Sequence, residues 1–84
     1  MIYRVVLTRS AEKDLAALDA IMRRRVAQKL RGLADNPRGT DTVKLTGEDS
    51  YRTRVGVYRI VYTINDPARI LTVDRIEHRG DAYR

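Results

Sequence analysis

Residues 51–64 read YRTRVGVYRIVYTI, and the period of two running through them decides the fold. Tyr51, Thr53 and Val55 alternate with Arg52 and Arg54, and after Gly56 the pattern resumes with Tyr58, Ile60, Tyr62 and Ile64 against Arg59, Val61 and Thr63. Successive strand side chains point to opposite faces, so this is strand, tight turn near Gly56-Val57, strand. One face is apolar and takes a core, including Tyr58 and Tyr62. The other carries the arginines.

Outward from this hairpin, NDPA at 65–68 reads as a turn into RILTVDRIE at 69–77, a last apolar strand that delivers the chain to HRGDAYR at 78–84. On the other side, GEDS at 47–50 is a turn preceded by a short strand from Val43 to Leu45. Before that the period becomes helical. Asp19 is a plausible cap for a helix in which Ile21 or Met22, Val26, Leu30 and Leu33 keep one face until Asn36-Pro37 stops it. Ser10 opens a shorter helix with Ala11, Leu15 and Leu18 on its apolar stripe, and IYRVVLT at 2–8 reads as a first strand with Tyr3 in the core or at an edge. The order is β-α-α-β-β-β-β: an α+β fold in which a two-helix hairpin packs on a small, mainly antiparallel sheet, residues 1–84 forming a single domain.

Composition narrows the chemistry. The 84 residues carry 17 Lys+Arg against 11 Asp+Glu, a formal charge of +6, and three of the 17 are lysine (Lys13, Lys29, Lys44), the rest arginine. Arginine's planar fork matches phosphate oxygens in pairs, so a polyanionic partner is favoured. There is no cysteine, which excludes thiol nucleophiles and cysteine-based zinc sites. His78 is the single histidine and has no acidic cluster of ligand spacing beside it, so no metal or other cofactor is expected. Nothing matches a phosphate loop, a dinucleotide fingerprint or a serine-histidine-aspartate set. The apolar run at the start is short and contains Arg4, so neither a signal segment nor a membrane span is expected, and the expectation is a cytoplasmic protein.

Arg52 and Arg54 share a face by the two-residue period, and a tight turn would bring Arg59 across from them, with Arg79 entering from the end of the last strand. Such a cluster binds phosphate and stabilises charge developing on it. The same alternation also keeps an exposed sheet face soluble, and composition alone favours that plainer account. Arg23 to Arg25 fan around a helical turn and read as its solvated side. His78 reads as a structural hydrogen-bonding group or a general base.

In YRTRVGVYRIVY and HRGDAY, and in its order of elements, the chain resembles the RelE branch of the RelE/ParE toxin superfamily over essentially its whole length. The resemblance implies a type II toxin that cuts messenger RNA in the ribosomal A site without a metal. The 2′-hydroxyl attacks the adjacent phosphate and leaves a 2′,3′-cyclic phosphate or 3′-phosphate end. It implies that Arg59 and Arg79 bind and stabilise the phosphate, that Tyr83 stacks on the base or assists proton transfer, and that Lys44, Arg52 and Arg54 contact RNA. Some relatives have lysines where this chain has Arg52 and Arg54, and arginine holds its proton too firmly to be a base. The base is therefore assigned to Tyr83 first and His78 second. The implied partners are the 70S ribosome with its messenger RNA and a cognate RelB-like antitoxin protein in a hetero-oligomeric complex. A ParE-like inhibitor of DNA gyrase that cuts nothing is the alternative, and a member that only binds its antitoxin and represses transcription is a third.

Overall fold

In the computed structural model, residues 2–45 and 50–78 are described. The hairpin read from residues 51–64 is its centre: β3 spans Ser50–Val55 and β4 spans Tyr58–Asn65. Val55 pairs with Tyr58, so the loop is the two residues Gly56-Val57. Gly56 has a φ of +59°, which the first central position of such a turn requires and a side chain resists. A Cβ there would also come within 3.3 Å of Arg25 Nη1 and Met22 Cε, so α2 packs directly on the turn.

The remaining elements are β1 (Arg4–Leu7), α1 (Arg9–Ala16), α2 (Ala20–Asp35), β2 (Val43–Lys44) and β5 (Ile70–His78). They form one five-stranded sheet in the order β1-β5-β4-β3-β2. β2 to β5 make the antiparallel meander, while β1 pairs with β5 in parallel. The cap of α1 is Thr8, two residues before Ser10. Its Oγ1 accepts the Ala11 N–H at 3.1 Å and donates to the Asp74 carbonyl at 2.8 Å. Asp19 caps α2 as expected, its Oδ1 accepting the Met22 N–H at 2.8 Å. The helix ends at Asp35, just before Asn36-Pro37.

Both helices lie on one face of the sheet. Ala11, Leu18, Val26, Leu30 and Leu33 meet Tyr51, Val55, Ile60, Tyr62, Ile64, Leu71, Val73 and Ile76 in a single core. Tyr62 is fully buried, whereas Tyr58 and Tyr3 are half-buried against the core margin. Burial pushes the Tyr62 phenol up to about 12, and its hydroxyl donates to the Pro37 carbonyl at 2.7 Å.

One irregularity interrupts the sheet. Val61 pairs with Arg75 but Tyr62 pairs with Val73, leaving Asp74 as the extra residue of a β-bulge on β5. The first helix grips this point from both sides. Thr8 takes the Asp74 carbonyl, and Asp14 Oδ2 accepts the Ile76 N–H at 2.9 Å, a donor that β1 no longer reaches because its pairing stops at Val73.

Candidate functional site

The sheet face turned away from the helices is built by strand register. Directly opposed residues share a face, so Arg54 on β3, Arg59 on β4 and Glu77 on β5 form one row. Arg52, Val61 and Arg75 form the next, and Ser50 and Thr63 lie beyond them. At about 4.8 Å between neighbouring strands, the Cα atoms of each three-residue row span about 10 Å, within reach of one phosphodiester and its neighbours. Arg54 is exposed, and Arg52 and Arg59 are half-buried. The Nε and Nη2 atoms of Arg59 are withdrawn from solvent. Val61, at the middle of the second row, is only 4% exposed although it faces away from the helices. Long side chains lining a strand cover apolar surface with their stems while keeping their heads in water.

Arg52, Arg54 and Arg59 are thus brought together as the alternation predicted. Lys44 is not among them: it pairs with Tyr51 and so belongs to the helix-side face. His78 also turns to that side, opposite Tyr58, with the two rings edge to face at 5.3 Å between centroids. Arg79 and Tyr83 lie outside the described residues. In their place on the arginine face the structure adds Arg75 and Glu77, joined by an ion pair of 3.2 Å from Nε to Oε2. Their i, i+2 spacing puts Arg75 and Glu77 on one face of β5, but the bulge at Asp74 decides which face that is.

Beside this face, a groove of about 780 Å³ runs between α2 and the open edge of β3, lined among others by Arg25, Lys29, Leu33, Asp41, Arg54 and Val55. Lys29 is paired there with Asp41. Arg54 therefore belongs both to the groove and to the arginine rows, and Arg25 adds a guanidinium from the helix to the same end of the sheet.

Arginines at the opposite end are used differently. Arg38 donates from Nη1 and Nη2 to both oxygens of Asp66, at 3.1 and 2.8 Å, and from Nε to the Tyr51 hydroxyl at 3.0 Å. The Tyr3 hydroxyl donates to the same carboxylate at 2.6 Å. The Arg38 guanidinium and Tyr3 together hold the Asp66 carboxyl below its usual range. The network ties the α2–β2 loop to the β4–β5 turn, and Arg69 lies over the Tyr3 ring at 5.6 Å.

Chemically, the arginine face can bind a phosphodiester through paired N–H donors and stabilise a more highly charged phosphorane. Among the described residues no three His, Cys, Asp or Glu side chains gather to hold a metal ion, and no helix is long and apolar enough to cross a membrane.

Comparison with known proteins places this geometry. Residues 5–83 match the family model described as the ParE toxin of type II toxin-antitoxin system, parDE. No curated protein sequence matches the chain. Among solved structures, the archaeal RelE-RelB complex of Pyrococcus horikoshii OT3 contains a chain similar at 31% identity and a TM-score of 0.85, over 95% of this chain and 98% of that one. The toxin-antitoxin complex RelBE2 of Mycobacterium tuberculosis gives 28% identity and 0.84, over 96% and 95%. The isolated RelE toxin of E. coli gives 26% and 0.81, over 96% and 90%.

Proposed function

The chain belongs to the RelE/ParE superfamily of type II toxin-antitoxin toxins, on its RelE-like side, and on that premise we propose that it is a ribosome-dependent endoribonuclease. It cuts messenger RNA in the A site by attack of a 2′-hydroxyl on the adjacent phosphate, without a metal. The observation that carries this reading is the row pairing of Arg54 with Arg59, flanked by Arg52 and Arg75. It concentrates guanidinium groups on an open face where a nucleic-acid strand can lie. Arg59 supports the phosphorane charge, and Arg52 and Arg54 hold the flanking backbone. Arg79 and Tyr83 complete the site from the C-terminal segment. Lys44, on the other face of the sheet, contacts RNA only where the strand passes the β2 edge. Action on ribosomes places the protein in the cytoplasm.

A RelB-like antitoxin is the proposed partner, because proteins similar to this chain are found in complexes with such antitoxins. An acidic segment that folds onto the arginine rows would neutralise the same charges that bind RNA, in a hetero-oligomeric complex.

A second reading has its own observation, the ParE description of the matching family: a gyrase inhibitor without nuclease activity. Mapping new messenger RNA ends in a translation extract, with and without engaged ribosomes, separates the two. Cuts within codons that vanish when ribosomes are stalled off the message support the RNase reading. Intact message with DNA-damage signalling in cells supports the gyrase reading.

A further inference from the structure

Transfer of the 2′-hydroxyl proton needs an acceptor, and arginines cannot provide one near neutral pH. Among the described residues, the titratable groups that strand pairing places on the substrate face are Arg52, Arg54, Arg59, Arg75 and Glu77, with Asp74 at the bulge beside Arg75 and with Asp41, paired to Lys29, near Arg52 and Arg54. His78 is turned to the other face, against Tyr58. Glu77 is the direct strand partner of Arg59, with Cα atoms about 5 Å apart in such pairs. It is half-buried, its side chain 29% exposed, and Arg75 Nε pairs with its Oε2 at 3.2 Å. The α1 clasp on the bulge gives this end of β5 a fixed register.

We infer that Glu77 is a catalytic residue of this site, the acceptor of the 2′-hydroxyl proton, placed by strand pairing beside the arginine that receives the phosphate. This rests on the RNase reading above. In the step, the 2′-oxygen forms its bond to phosphorus as its proton passes to the Glu77 carboxylate. The bond from phosphorus to the 5′-oxygen breaks, and that oxygen takes a proton from water. The products are a 2′,3′-cyclic phosphate and a 5′-hydroxyl, and Glu77 returns its proton to solvent. Arg59 from β4 is the carboxylate's direct strand partner and Arg75 from β5 pairs with it, with Arg54 from β3 one strand further along the same row. These arginines hold the phosphate beside the carboxylate.

The test is single-turnover cleavage of messenger RNA on programmed ribosomes, measured against toxin concentration and pH for the parent, Glu77→Gln, Glu77→Asp, Arg75→Gln and Tyr83→Phe. Glu77→Gln should slow the saturated rate by about 10²–10⁴-fold while half-saturation stays where it was. It should also flatten the parent's rise in rate with pH. Glu77→Asp should recover part of the rate and the pH dependence, and Arg75→Gln, which removes a phosphate contact, should raise half-saturation while the pH dependence of the saturated rate persists. Glu77→Gln cutting at the parent rate with the parent pH profile overturns the assignment. So does Arg75→Gln reproducing its full loss, because the carboxylate would then serve only to hold that arginine. Loss of the pH dependence in Tyr83→Phe alone would move the base to the tyrosine. A parent that leaves the message intact overturns the RNase reading and this role with it, whereas an active parent beside an equally active Glu77→Gln overturns only the role.

Discussion

Arg38 and Arg59 are the same residue type at two ends of one sheet, and the molecule uses them in opposite ways. The Arg38 fork is spent on Asp66 and Tyr51, groups of the protein itself. Arg59 stands in a row with Arg54 and beside the pair Arg52 and Arg75, where like charges accumulate on an open face. An arginine matched to internal acceptors fastens loops. Arginines gathered side by side raise the free energy of the empty protein and lower it when a polyanion arrives. The contrast makes a claim about separability: folding should depend on one end and cleavage on the other.

The largest effect expected is on the cleavage end. Arg59→Ala should lower the single-turnover rate on ribosomes by 10²–10³-fold, about 3–4 kcal/mol of transition-state stabilisation, with the thermal midpoint nearly unchanged. A variant that melts early and cuts normally would reverse the roles assigned to the two ends. At the folding end, Tyr62→Phe should cost about 1–2 kcal/mol in denaturant titrations, because the Pro37 carbonyl loses its buried donor. Its cleavage rate per folded molecule should match the parent.

The same tyrosine gives a pH signature. Its proton is held in the folded state up to about 12, above the ordinary phenol value of about 10. The stabilisation is therefore complete below pH 10 and is lost as pH rises through 12. Alkaline unfolding should show that loss in the parent and lack it in Tyr62→Phe. Arg38→Ala should lower stability by about 1 kcal/mol, since the Asp66 pair is largely exposed, and leave cleavage alone. The smallest effect belongs to Asp66→Asn. Because the folded state holds this carboxyl below its usual range, its contribution is present above that range and lost as pH falls through the lowered value. The variant should be less stable than the parent near neutrality, and the gap should close in acid.

Much of the architecture was legible in local pattern. The two-residue period set the β3–β4 hairpin and the arginine face, and Asp19 and Asn36-Pro37 marked the ends of α2. What escaped was decided by distant pairing. No local signal tells β1 that its neighbour is β5, in parallel, since that choice depends on which edges remain open once the meander and helices have packed. The side on which Lys44 falls follows from its register with Tyr51, not from its distance along the chain to Arg52. Glu77 and His78 were both visible as residues, but their faces were not. Counting alternation forward from the apolar Leu71 and Val73 gives the wrong parity unless the bulge at Asp74 is known, and Thr8 and Asp14 clasp that bulge from the other end of the chain.

That extra residue acts as a reading-frame shift written into a strand. Upstream of it, even-numbered positions of β5 such as Thr72 face outward; downstream, odd-numbered ones do. Were Asp74 to pair as an ordinary strand residue, with no bulge opposite β4, Arg75 and Glu77 would turn toward the helices and His78 would swing to the arginine face. A change of pairing alone would thus exchange a carboxylate for an imidazole on the arginine face, with no residue substituted or lost. Deleting Asp74 outright would instead leave Arg75 and Glu77 facing outward, because Val73 and Arg75 would then be successive residues of a regular strand.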